Sequence, residues 1–215
     1  MVRIACLHTA ESNIAVFDDA LRVIGLTGAE LLHEVRADLL AAAEREGQLT
    51  PEIAARTAAE LRGLSVKADA VLLTCSTLGP AAEAAAVEAP VPVMRVDAAL
   101  ATEAVKGGGK VVALCAVRTT VEPTRLLFES AARATGAEVV VRVVPGAWDA
   151  FKAGDRDAYL AKIAHAAIAA AQAGATRVAL AQASMAGACG LINSDIRSLN
   201  SPEAGLIAAA KAAAA

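Results

Sequence analysis

Aromatic side chains are nearly missing, at 2% of the chain. That scarcity leaves no stacking platform for nucleic-acid bases. An excess of positive charge is missing too. Twenty Lys+Arg stand against 23 Asp+Glu, for a net charge of −3, so there is no electrostatic footprint for a phosphate backbone. The four cysteines, Cys6, Cys75, Cys115 and Cys189, form no CxxC pair. They read as free thiols and not as a disulfide framework or zinc knuckle. No GxGxxG follows a strand-like run. Gly107-Gly108-Gly109 precedes one, so no nucleotide cofactor is expected. No His, Asp or Glu spacing suggests a metal, and no metal or other cofactor is expected. A separate apolar leader is not evident, because the chain opens directly into Val2-Arg3-Ile4-Ala5-Cys6-Leu7. A cytoplasmic protein without membrane association is the expectation.

What is abundant is alanine, with 57 of 215 residues, and it accounts for the mean hydropathy of +0.50. Alanine is a helix former and not a membrane anchor. Short apolar runs alternate with alanine-rich stretches. Strands are predicted at 3–8, 30–35, 70–75, 91–96, 110–116, 138–144 and 177–182. Helices are predicted at 14–24, 38–45, 51–64, 81–88, 98–105, 124–135, 147–152, 156–173 and 201–213. Thr50-Pro51 is an N-cap with proline in the first turn, and Gly136 and Gly174 stand where helices should end. Alternation of this kind predicts an α/β fold with mainly parallel, doubly covered sheets.

The chain also repeats itself at a period near 107. Gly28-Ala29-Glu30 recurs as Gly136-Ala137-Glu138. The run from Lys67 to Thr77 lies over Gly174 to Ser184 in the same order of elements. Two pseudo-symmetric, Rossmann-like lobes follow, residues 1–96 with 196–215 and residues 97–195. Ligands of open parallel sheets sit at the carboxyl ends of strands, so the active site is expected between the lobes, among residues 8–13, 74–80, 116–120 and 181–187. In register, Ser12 lies over Thr119, Asn13 over Thr120 and Cys75 over Gln182.

Thr74-Cys75-Ser76-Thr77-Leu78-Gly79-Pro80 carries the most chemistry. A thiolate at a strand end that leads into a helix is stabilised by the helix dipole, and the same N–H groups suit a carboxylate. Cys6 and Cys115 lie in or at the end of apolar runs and read as core residues. His8 ends the first strand as a candidate acid or base. Arg118 is a cation in the expected site and is able to pair with a carboxylate. His33 and His165 read as structural. Trp148 reads as a cleft cap or a contact between subunits. Ser184 is a further polar candidate, and Cys189 follows two helical turns beyond Gln182.

The Cys75-Ser76-Thr77 loop, its repeat at 181–186, the Thr119-Thr120 loop and the duplicated layout resemble the aspartate/glutamate/hydantoin racemase superfamily over essentially the whole chain. The resemblance implies a cofactor-independent enzyme acting at the carbon alpha to a carboxylate. One cysteine from each lobe would handle the proton. Cys75 would be the first-lobe thiol. Ser12, Asn13, Ser76, Thr77, Thr119 and Thr120 would hold the substrate. The second cysteine falls at Gln182, and an amide is no acid or base near neutral pH. One-thiol chemistry, decarboxylation or cis–trans isomerisation, is then open, with Gln182 as a hydrogen-bond donor. A small-acid binding protein on the same scaffold is the alternative, and a thiol hydrolase a more remote one. The partners expected are a small carboxylate or amino-acid-like substrate and a second copy of the chain in a dimer, with no nucleic acid.

Overall fold

The computed structural model describes residues 1–193 and 197–215. Its elements run β1 (Val2–His8), α1 (Asn13–Val23), β2 (Ala29–Val35), α2 (Ala37–Glu46), α3 (Pro51–Ser65), β3 (Ala70–Leu73), α4 (Pro80–Glu88), β4 (Val93–Arg95) and α5 (Val96–Val105). They continue with β5 (Lys110–Cys115), a 3₁₀ turn (Arg118–Thr120), α6 (Val121–Ala132), β6 (Glu138–Val143), α7 (Ala147–Lys152) and α8 (Arg156–Gln172). Then come β7 (Arg177–Leu180), a longer 3₁₀ segment (Ala183–Leu191), β8 (Arg197–Asn200) and α9 (Ser201–Ala213).

The chain divides into two compact units, residues 1–99 with 202–215, and residues 100–201. The first holds a sheet of order β2-β1-β3-β4, and all its strands are parallel. The second holds a sheet of order β6-β5-β7-β8, again all parallel. The repeat seen in the sequence is therefore a repeat of strand order. Residues 197–200, expected from the sequence to belong to the first lobe, form β8 and pair with β7. The expected boundary at 195–196 lies outside the described residues.

Local chemistry sets the ends of these elements. Thr50 caps α3, its side chain accepting from Ile53 N at 3.3 Å with Pro51 in the first turn. Gly136 has φ of +67°, the left-handed turn that ends a helix and that a Cβ resists. The helix of residues 124–135 was expected three residues too late. Proline needs no N–H bond in a first turn, so α6 starts at Val121 with Pro123 inside that turn.

Each unit encloses its own core. In the first, Leu7, Val71 and Leu73 pack against Leu39, Ile53 and Leu61. In the second, Val112, Leu114, Val178 and Leu180 meet Tyr159, Ile163 and Ala167. The buried face of α8 begins with Tyr159, Leu160 and Ile163 and continues in small side chains, Ala164, Ala167 and Ala170. The aromatic shortage is met by many close, small contacts.

Candidate functional site

The carboxyl ends of the parallel strands are where the loops singled out from sequence emerge. In the first unit, Ser12 immediately precedes α1 and is exposed, with no capping bond from its side chain, and Asn13 is the first helical residue. Cys75 and Ser76 are half-buried after β3, and Thr77 is exposed. Cys75 packs beside the core that contains Leu78. The loop closes on itself where Gly79 N–H donates to Ser76 O at 3.1 Å. A Cβ at Gly79 would come within 2.4 Å of the Arg95 guanidinium carbon, so a larger residue there would have to displace that guanidinium. That guanidinium is held bidentate on Asp97 through two bonds of 2.9 Å, with Glu83 at 3.2 Å. Arg95 and Asp97 were not singled out from the sequence. Their spacing of two at the end of a short strand is the only signal they leave.

His8 is fully buried and is part of a chain of polar contacts. The Thr74 hydroxyl donates to Leu7 O at 3.1 Å, so it accepts from His8 Nδ1–H at 2.9 Å. His8 Nε2 and His33 Nδ1 share one hydrogen across 2.9 Å, and His33 Nε2 lies 3.2 Å from the Asp18 carboxylate. Burial, followed by the His33 ring and opposed by Asp18, pulls His8 down to about 4. Both of its nitrogens are hydrogen-bonded within the first unit. Cys6 lies on the same face of β1, two residues before His8, and pairs in register with His33. Burial, and then the charge of Asp18, pushes its thiol up.

In the second unit, Arg118 and Thr119 are exposed. They line a groove of about 470 Å³ with Val143, Pro145, Gly146 and Trp148. Trp148 is 38% exposed and stacks on Phe151 with centroids 5.1 Å apart. Thr120 turns inward, its hydroxyl donating to Val117 O at 2.8 Å. Cys115 is buried beside the Thr124 hydroxyl, 3.6 Å away, and burial pushes this thiol up as well. Ser184 shares a 2.8 Å hydrogen bond with the Tyr159 hydroxyl. Cys189 accepts from Asn200 Nδ2 at 3.4 Å.

Gln182 Oε1 accepts from the Ala116 N–H at 2.6 Å, tying the end of β5 to the end of β7. Ala116 is 3% exposed, so without Gln182 its N–H is left buried. Gln182→Leu is expected to lower the unfolding free energy by about 1–3 kcal/mol, the cost of an unmet buried donor. Urea denaturation checks this, and an unchanged midpoint would remove the structural role.

This chain, with two parallel sheets of the same strand order, is similar in fold to solved aspartate, glutamate and allantoin racemases. An aspartate racemase homologue from Pyrococcus horikoshii OT3 superposes with a TM-score of 0.74 at 16% identity, covering 100% of both chains. An allantoin racemase from Klebsiella pneumoniae superposes at 0.71 with 15% identity, covering 100% of this chain and 88% of the other. A glutamate racemase isoform from Bacillus anthracis gives 0.62 at 16%, covering 98% and 80%. The resemblance read from the sequence holds at the level of fold. No protein-family model and no curated protein matches the chain by sequence.

Proposed function

We propose that the protein is an enzyme acting on a small carboxylic acid or amino-acid derivative, at the carbon alpha to the carboxylate, with Cys75 as the reacting thiol and without a cofactor. The observation that carries this reading is the placement of Cys75. Of the four thiols, Cys6 and Cys115 are sealed in strands and Cys189, also half-buried, accepts a hydrogen bond from Asn200, whereas Cys75 is half-buried at the carboxyl end of β3 with Ser76 and Thr77 after it. Their hydroxyls, with Ser12 and Asn13 at the start of α1, suit a carboxylate. Arg118 and Thr119 offer further donors in the groove of the second unit.

Gln182 supplies neither acid nor base, and its carbonyl is committed to Ala116. One thiol supports chemistry on one face. It protonates an enolate left by decarboxylation, or its thiolate adds to an alkene carbon and leaves again after bond rotation. The fold likeness to racemases supports the substrate class. The test is proton NMR of purified protein in D₂O with aspartate, glutamate, hydantoins, allantoin, maleate and malonates. Loss of an alkene, an α-proton or a carboxylate signal that depends on Cys75 supports the enzyme. The engagement of Gln182 favours a second reading, a small-acid binding protein. Saturable binding of a panel member without any turnover would establish it.

A further inference from the structure

The polar chain in the first unit contains more than the Cys75 loop needs. Cys6 Sγ and one ring nitrogen of each of His8 and His33 lie within 4.8 Å of one another. The facing nitrogens, His8 Nε2 and His33 Nδ1, are 2.9 Å apart. Each ring's other nitrogen already donates outward, His8 to Thr74 and His33 to the Asp18 carboxylate. Histidines that ligate metals show this arrangement. The outer N–H is fixed by an oxygen, often a carboxylate, and the inner nitrogen faces the ion; in this structure the two inner nitrogens share one hydrogen, which an ion would displace.

We propose that Cys6, His8 and His33 form a binding site for a borderline-soft divalent cation, zinc or cobalt, with Asp18 and Thr74 as the outer partners. One thiolate and two imidazoles suit such an ion, and carboxylate-preferring magnesium or calcium would be excluded. Tetrahedral coordination with Zn–N near 2.0–2.1 Å places two ligand nitrogens about 3.3 Å apart, so the rings need separate by only about 0.4 Å. The ion replaces the hydrogen between the two rings and the Cys6 thiol hydrogen. Both leave as protons, and no electron is transferred. His33, with 15% of its side chain exposed, gives the route of entry. The bound ion holds β1 to β2. Through His8 and Thr74 it also steadies the residue before Cys75. The site does not depend on the proposed enzymatic activity.

The experiment uses the full chain, stripped with chelator and given Co²⁺ as the probe. Retained metal and the thiolate-to-cobalt charge-transfer band are read in parallel. The expected result is one ion per chain with the band, unchanged in Cys75→Ser. Cys6→Ser abolishes the band, and Asp18→Asn keeps it but weakens retention about 10–100-fold. His33→Gln, at a half-buried position, gives an independent loss if Cys6→Ser fails to fold, with circular dichroism as the check. No retained cobalt in the wild type, a band that survives Cys6→Ser, or a band lost in Cys75→Ser would each overturn the assignment.

Discussion

Cys75→Ala is expected to lower turnover of the substrate found by the NMR panel about 10³-fold, the scale of a positioned acid or base. The thermal midpoint should hardly move. The two effects separate because the Cys75 side chain is only half-buried and sits at the rim of the first core, beside Leu78. Truncating it opens no enclosed cavity, so the large penalty of a core deletion does not apply. The same substitution at Cys6 or Cys115 removes a fully buried sulfur and should reverse the pattern, destabilising the fold. Turnover per folded molecule should survive in Cys115→Ala. Steady-state kinetics beside a thermal melt distinguishes the two classes. A Cys75→Ala protein with full turnover would exclude the thiol from the chemistry.

Alkaline destabilisation centred on Tyr159 is the second large effect expected. Tyr159 is 2% exposed, and burial, partly offset by the Ser184 hydrogen bond, pushes its phenol from 10.0 up to about 12. The folded state therefore resists ionisation while the unfolded chain ionises. The contribution to stability is complete below pH 10 and is lost as pH rises to 12. The loss is about 3 kcal/mol over that window. The chain has a single tyrosine, so the tyrosinate absorption reports this residue alone. The band is expected to rise together with unfolding, and Tyr159→Phe is expected to flatten the alkaline fall in urea midpoint. It should itself cost about 1 kcal/mol near neutral pH, for the lost hydrogen bond. A phenol titrating near 10 in the folded protein would contradict the burial argument.

Most of the architecture is readable from short-range signals. Apolar runs of four to seven residues between capped, alanine-rich helices mark the strands, and Thr50-Pro51 and Gly136 punctuate them. β8 was missed because Arg197-Ser198-Leu199-Asn200 carries no apolar run. Yet β4 starts 104 residues earlier, near the repeat period of about 107, so the repeat pointed to a strand close to this place. The loops of the candidate site emerge where the strand-end rule puts them. What sequence could not show is which side chains meet. Cys6 and His33 are neighbours only because β1 and β2 pair in parallel with that register, and a slip of one residue would have turned His33 to the opposite face. The same holds for Gln182 and Ala116, 66 residues apart. Gly79 looks like an ordinary helix start until the Arg95 guanidinium is seen lying against it.

The most direct measurement of the single-thiol chemistry is deuterium uptake. A single enantiomer of aspartate, glutamate or allantoin is incubated with the purified protein in D₂O, in parallel with maleate and a malonate, and each is repeated with Cys75→Ala. One thiol acting on one face predicts Cys75-dependent deuterium at the alpha carbon with the starting configuration kept, or Cys75-dependent loss of the alkene or carboxylate signal. Deuterium in both enantiomers would reveal a second acid that the account does not contain. Exchange that persists in Cys75→Ala would show that another group does the work.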